Sequence, residues 1–171
     1  RASGIPSPSS KRNSFYISGN KMELVDAVRR AKRTYIIGNG GSHANAMHIC
    51  NDLIACGVKA YTMDPSTLTA FANDYGYEGL FARWLSVLGE KGEILIVLSG
   101  SGESANILRA LNEADRIGMD TWAIVGQPGG RAAIWAHNAS IGGANMQQAE
   151  QIQIQIGHEV RQWLTAREIA L

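Results

Sequence analysis

Apolar positions along this chain switch repeatedly between helical spacing and short continuous runs. Residues 22–31 carry apolar side chains at helical spacing, and a short run with β-branched residues follows at 34–37. Another apolar run at 94–98 precedes a helical pattern at 105–117, and a further run occupies 121–125. Strands that alternate with helices predict a parallel sheet covered by helices on both faces.

The remaining segments complete this pattern. A helix that follows residue 42 places Ala46, Met47, Cys50, Leu53 and Ile54 on one side, and residues 79–88 are amphipathic. Two more strands are predicted at 58–63 and, shorter, at 139–141. The prediction is therefore an α/β domain with five parallel strands, whose ligands bind beyond the carboxyl ends of the strands.

The segment 151–156 is ambiguous because Gln and Ile alternate strictly, as in a strand. Its surroundings favour a helix, since Gln is a good helix former and no helix breaker intervenes before the end of the sequence. We predict a long C-terminal helix with an apolar stripe that consists of Ala149, Ile152, Ile156, Val160 and Trp163.

Residues 1–20 are rich in Ser, Gly and Pro, with Arg and Lys among them. This composition is typical of a linker or an N-terminal arm. A linker would fit a domain within a larger polypeptide, and an arm would fit an ordinary flexible terminus equally well. Residues 21–171 are predicted to form a single domain, since the total of 171 residues suits one compact unit.

Composition and charge argue against several classes of function. With 45% hydrophobic and 18% charged residues, the chain can bury a core, and its net charge of +1 gives no indication of nucleic-acid binding. We expect no membrane segment, because no apolar run is long enough to span a bilayer. No signal-peptide pattern opens the sequence, and Cys50 and Cys56 lack disulfide or zinc spacing. We therefore expect a cytoplasmic protein with free thiols.

Two loops rich in Gly and Ser follow predicted strands and open predicted helices. The first, GNGGS at 38–42, fits an anion site at a helix start, but a tight turn with a cap explains it equally well. The second, SGSGES at 99–104, offers three hydroxyls, which a purely structural turn seldom needs. Neither loop has the Lys of a P-loop or the full dinucleotide fingerprint, so no nucleotide cofactor is expected.

Several polar residues are candidates for acid–base chemistry. His48 and Asp52 are four residues apart on a predicted helix, a spacing that suits a metal pair, a base with its partner, or an ordinary surface ion pair. His158 lies among apolar residues on the last helix, and Glu150 lies two turns earlier. Asn73–Asp74 is a turn signal, whose side chains would either hold sugar hydroxyls or cap a following helix.

These motifs together resemble the SIS (sugar isomerase) domain family, in its phosphoheptose isomerase branch. The resemblance rests on GNGGSHANAMH at 38–48, LTAFANDYGYEGLFAR at 68–83, SGSGESANILRAL at 99–111 and GHEV at 157–160. It implies a three-layer α/β/α fold of the flavodoxin or Rossmann type, with a five-stranded parallel sheet. It also implies a homotetramer with active sites between subunits and a sugar phosphate as substrate.

The resemblance also implies roles for individual residues. The expected phosphate ligands are Ser42, Ser99, Ser101 and Ser104. The sugar site would be lined by Asn39, Gly40, Gly41, Asn73 and Asp74. A site for Zn²⁺ would consist of His48, Asp52, Glu150 and His158, and the catalytic groups would be Asp52, Glu150 and His158.

Two of these positions depart from the family pattern. Asp52 stands where the family has a catalytic Glu, and Glu150 stands where it has a Gln. The reaction implied is keto–aldose isomerisation through a cis-enediol, with sedoheptulose 7-phosphate giving a heptose 7-phosphate. The alternatives are an octulose 8-phosphate isomerase domain from an antibiotic-sugar pathway and a non-catalytic SIS module that regulates through protein contacts.

Overall fold

A computed structural model describes residues 14–16, 21–126, 130–143 and 145–168 of the chain. The strands are β1 (Ser14–Tyr16), β2 (Thr34–Gly38), β3 (Ala60–Tyr61), β4 (Ile94–Ser99), β5 (Asp120–Val125) and β6 (Asn138–Ile141). They form one sheet in the order β1-β6-β5-β4-β2-β3, and every pairing is parallel. The predicted parallel sheet and all five of its strands are confirmed.

Strand β3 is shorter than the prediction of 58–63. It has two residues, because the backbone before it turns back towards the preceding helix, where the amide of Val58 donates to the carbonyl of Leu53.

Strand β1 is a sixth strand that the apolar pattern did not indicate. It pairs with β6, with Phe15 opposite Ala139, and it lies within the segment predicted as a linker or arm. The rest of that segment, 1–13 and 17–20, lies outside the described residues.

Helices cover both faces of the sheet. They are α1 (Lys21–Arg30), α2 (Gly41–Ala55), α3 (Pro65–Tyr75), α4 (Leu80–Leu88), α5 (Ala105–Ile117), α6 (Arg131–Trp135) and α7 (Met146–Glu168). Alternate residues of β4 point to opposite faces, so Leu95 and Val97 pack with α4 and α5 while Ile96 packs with α1, α2 and α7. The three-layer α/β/α prediction is therefore confirmed.

Helix α7 resolves the ambiguity of residues 151–156. The segment is helical, and the buried stripe that holds α7 on the sheet includes Ile156, Val160 and Leu164. Trp163, which we placed in this stripe, is exposed instead, because the helical period continues the stripe from Val160 to Leu164.

The turn predicted at Asn73–Asp74 is wrong, since both residues belong to the last turn of α3. The start of this helix is strongly capped. The side chain of Asp64 accepts hydrogen bonds from the backbone amides of Ser66 and Thr67, and its bonds with both residues hold the pKa of Asp64 well below its usual range. The chain turns only at Gly76, whose φ of 75° is readily available to glycine.

Among the described residues, none of the helices combines the length and the apolar composition that a bilayer crossing requires.

His137 lies between two carboxylates at the amino-terminal edge of the sheet. Its Nδ1 is 3.0 Å from Asp120 Oδ1, and its Nε2 is 3.6 Å from Asp115 Oδ1. The hydrogen bond with Asp120 is the main cause that raises the pKa of His137. The charged imidazole therefore stabilises the fold fully below the ordinary histidine pKa of about 6.5, and this contribution is lost as the pH rises through the higher folded value.

We expect His137→Gln to lower the free energy of unfolding by something on the order of 1 kcal/mol near pH 6, because it removes the charged partner of two carboxylates. The loss should shrink towards pH 9, because the wild-type imidazole loses its charge as the pH rises through its raised pKa. Urea unfolding of both proteins at the two pH values measures this difference. An equal loss at both would show that the charge of His137 does not stabilise the fold.

Candidate functional site

Helices α2 and α7 pack side by side in the same layer and bring distant residues together. They are in close contact at Gly157, where a side-chain methyl group would overlap with Ile49 of α2. Next to this contact, His48 of α2 faces His158 of α7, and Asp52 of α2 faces Arg161 of α7. The two helices together therefore build one polar cluster from residues more than 100 positions apart.

The close contact at Gly157 gives a testable prediction. Gly157→Ala should lower the free energy of unfolding by about 1–3 kcal/mol, because the added methyl group overpacks the boundary between the helices. Ile49→Ala alone should also destabilise, but the double variant should be clearly more stable than the sum of the two losses predicts. Urea denaturation of the four proteins measures this coupling. Strictly additive losses would contradict the proposed contact.

The cluster has the donor set and the spacing of a metal site. The Nε2 atoms of His48 and His158 are 3.1 Å apart, and Asp52 Oδ2 lies 3.5 Å and 3.8 Å from them. Zinc bonds of about 2.0–2.1 Å at tetrahedral angles place neighbouring donor atoms roughly 3.3 Å apart. Two imidazoles and a carboxylate are also ligands that zinc prefers. These three residues therefore fit a Zn²⁺ ion.

Asp52 is the buried member of this group, with only 3% of its surface exposed. One carboxylate oxygen, Oδ1, accepts a hydrogen bond of 2.6 Å from Nη1 of Arg161. The other, Oδ2, has no hydrogen-bond partner among the described residues, although it faces both imidazoles. A buried carboxylate oxygen without a partner is rare in structural roles, and here it is available to accept a proton or to bind a cation.

Glu150, the fourth residue of the predicted metal set, lies elsewhere along the same helix pair. Its carboxylate stands directly against Gly41 at the start of α2, where a side chain on Gly41 would overlap with it. Since Glu150 precedes His158 by eight residues on α7, roughly 12 Å of helix separates them. The structure thus brings together His48, Asp52 and His158, and it places Glu150 beside the first Gly/Ser loop.

The two Gly/Ser loops follow the neighbouring strands β2 and β4. Two side-chain amides, of Asn39 in the first loop and Asn106 in the first turn of α5, hydrogen-bond to each other. Asn39 Nδ2 donates to Asn106 Oδ1 at 2.9 Å, and Asn106 Nδ2 donates to Asn39 Oδ1 at 2.8 Å. Asn39 Oδ1 also accepts from the hydroxyl of Tyr77. The sequence analysis missed Asn106, which is only 1% exposed. The available signal was a polar residue at a buried position of the helix that follows the second loop.

In the second loop the serine hydroxyls accept from the backbone. Ser99 Oγ accepts from the amide of Gly102 at 3.1 Å, and Ser101 Oγ accepts from the amide of Glu103 at 3.2 Å. Because a hydroxyl that accepts one bond keeps its own hydrogen, both can still donate to a phosphate oxygen. Ser104 is the N-cap residue immediately before α5, and its side chain makes no capping bond within the described chain. Ser42, in the first turn of α2, is buried.

The first turn of α7 covers both loops from one side. Met146 fills the space that a side chain at Gly100 would need, and Ala149 contacts the neighbouring turn at Gly126. Glu150 of the same turn lies against Gly41 of the first loop. Asn73 and Asp74 are exposed at the end of α3, where Asn73 Nδ2 donates to Asp74 Oδ1 at 2.9 Å.

Comparison with known proteins adds an independent line of evidence. The family model of the SIS domain matches residues 12–126. The chain is 41% identical over 125 residues to the phosphoheptose isomerase of a Nitratiruptor species, and the match covers 68% of this chain and 67% of that protein. It is 40% identical over 135 residues to the phosphoheptose isomerase of Sulfurimonas denitrificans, covering 71% and 69%.

The fold is similar to a solved structure as well. The structure of the phosphoheptose isomerase from Neisseria gonorrhoeae superposes with a TM-score of 0.78 at 26% sequence identity. The superposition covers 85% of this chain and 83% of that one. The superposed share of this chain is therefore larger than the share that the family model matches.

Proposed function

This chain belongs to the SIS domain family, and we propose that it is a keto–aldose isomerase that converts sedoheptulose 7-phosphate into a heptose 7-phosphate. The observation that carries this proposal is the buried oxygen Asp52 Oδ2, which has no hydrogen-bond partner in the described chain and faces the Nε2 atoms of His48 and His158. Isomerisation needs a base that takes the proton from carbon and an acid that protonates the carbonyl oxygen, and this cluster contains both kinds of group.

The phosphate end of the substrate would be held by the serines of the two loops, which are Ser42, Ser99, Ser101 and Ser104. The start of α5 adds backbone amides and a favourable helix dipole for an anion. His48 follows Ser42 by six positions on α2, which is about 9 Å along the helix axis. That distance is comparable to the length of an open seven- or eight-carbon chain, so the phosphate and the carbonyl group can be held at opposite ends.

The reaction would proceed through a cis-enediol. Asp52 removes the proton from the carbon next to the ketose carbonyl, and the electron pair of that C–H bond forms the enediol double bond. His158 supplies a proton to the carbonyl oxygen and takes one from the neighbouring hydroxyl. Asp52 then returns its proton to the former carbonyl carbon, which completes the aldose with no net change in protons or electrons.

As an alternative to direct proton transfer, the same side chains of His48, Asp52 and His158 would hold a Zn²⁺ ion, which would polarise the carbonyl group of the sugar when bound. Glu150 would line the sugar site together with Asn39, Gly40, Gly41, Asn73 and Asp74. Its carboxylate lies against Gly41 and not with the imidazoles, so we assign the base to Asp52 and a sugar contact to Glu150.

We propose a homotetramer with active sites between subunits. The outer surfaces of α2 and α7 support this assembly, because large apolar side chains lie exposed there at Met47, Ile54 and Trp163, beside half-exposed imidazoles. Light scattering in solution measures the assembly.

The cytoplasm is the proposed compartment, where Cys50 stays a thiol, and burial raises the pKa of this group.

The experiment that tests the function is an NMR assay with sedoheptulose 7-phosphate and an eight-carbon ketose phosphate. We expect an aldose anomeric signal to appear with the seven-carbon substrate. Faster turnover of the eight-carbon substrate would favour the octulose 8-phosphate alternative, to which Met146 at Gly100 could contribute by reshaping the phosphate loop. No turnover of either substrate, together with tight binding to a macromolecule, would favour a regulatory module.

A further inference from the structure

Arg161 is the residue through which α7 holds the carboxylate of Asp52. It follows His158 by three residues, so both side chains project from one face of α7 towards α2. Its Nη1 donates to Asp52 Oδ1 at 2.6 Å, the short distance of a charge-assisted hydrogen bond. Because Asp52 is nearly fully buried while Arg161 is half exposed, the pair links solvent to the interior of the cluster.

The hydrogen bond from Arg161 also orients the carboxylate. The terminal torsion of an aspartate side chain is broad and roughly two-fold, so an unanchored carboxylate would rotate between positions. With Oδ1 held by Arg161, Oδ2 is the oxygen that faces the two imidazoles, at 3.5 Å from His48 and 3.8 Å from His158. The sequence motifs contain no signal for this contact, which depends on the alignment of α2 with α7.

We infer that Arg161 is a positioning residue for the reaction: by holding Asp52 Oδ1 it directs Oδ2 to the place where the proton is removed. This inference rests on the proposed isomerase function. Arg161 acts through Asp52 and does not itself touch the sugar. Since catalytic groups must be held within a fraction of an ångström of their productive position, loss of this anchor should lower the rate more than it weakens substrate binding.

The first test is the steady-state kinetics of Arg161→Met, a variant that keeps much of the apolar stem of the side chain and removes its charge. We expect kcat to fall about tenfold to a hundredfold, with KM within about twofold of the wild type. Arg161→Lys should recover part of the loss, because an ammonium group can donate to the same oxygen. The matched control is Arg116→Met, which removes an exposed arginine from an ion pair on α5.

A second measurement does not depend on turnover. The ring nitrogen shifts of His48 and His158, observed by NMR in metal-free protein, should change in Arg161→Met and stay unchanged in Arg116→Met. Folding of each variant is checked by circular dichroism, and Arg161→Gln, which removes the positive charge but keeps a polar side chain, provides the measurement if Arg161→Met does not fold.

The inference is overturned if kcat of Arg161→Met stays within about twofold of the wild type, or if KM rises while kcat does not change. Unchanged imidazole shifts would overturn it as well. A wild-type protein that turns over no ketose phosphate would remove the proposed function, whereas the imidazole shifts would still decide whether Arg161 positions Asp52.

Discussion

Asp52→Asn should lower kcat for the ketose phosphate by about 10²–10⁴-fold, which is the range expected when a general base is removed. The amide keeps the shape of the side chain, and its oxygen can still accept a hydrogen bond from Arg161. An amide cannot take a proton from carbon, however, so the buried position that faces the imidazoles loses its base. KM should change far less than kcat, because the phosphate is held by other residues.

Two comparison variants sharpen this prediction. Asp52→Glu restores the longer carboxylate of the family pattern and should keep measurable activity, while Glu113→Gln removes a carboxylate from an ion pair on α5 and should have no effect. Glu150→Gln should reduce kcat much less than Asp52→Asn, because Glu150 lies beside Gly41. If Glu150→Gln is the more damaging change, the base has been assigned to the wrong carboxylate.

His158→Gln should also lower kcat by about 10²–10⁴-fold, because it removes the group that moves protons on and off the sugar oxygens. The same change takes one of the three donors from the cluster of His48, Asp52 and His158. Zinc bound by protein prepared without chelators should therefore fall well below the wild-type amount. Kinetics at saturating substrate and metal analysis of the same preparation measure the two effects.

Comparison with His48→Gln separates the two roles. If both histidines serve only as ligands, the two variants should lose zinc and activity in parallel. If His158 also transfers protons, its variant should stay inactive when zinc is added in excess, whereas His48→Gln should recover part of its activity. Full activity of His158→Gln would remove it from the mechanism.

Much of this protein follows from local sequence patterns. Short continuous apolar runs identify the strands, which are buried on both faces of the sheet, and period-3.6 spacing identifies most of the helices. The Gly/Ser loops mark the carboxyl ends of β2 and β4, and the four-residue spacing of His48 and Asp52 alone places them on one face of α2. These features depend only on neighbours along the chain.

Predictions failed where other interactions outweighed a local sequence signal, or where that signal was too short. Asn73–Asp74 is a turn signal, but the cap at Asp64 and the continuing helical pattern carry α3 as far as Tyr75. Strand β1 has three residues and gains its stability by pairing with β6, far away in sequence, so its own pattern is too short to indicate it.

The sequence by itself determined the parallel α/β architecture, the two loops and the identity of the polar candidates. Only the tertiary structure decided which of them meet. The packing of α2 on α7 at Gly157 brings His158 and Arg161 to His48 and Asp52, places Glu150 at Gly41, and leaves Asn106 beside Asn39 through the adjacency of β2 and β4. Contacts between residues that are far apart in sequence depend on how whole helices and strands align with one another. Short-range periodicity does not determine that alignment.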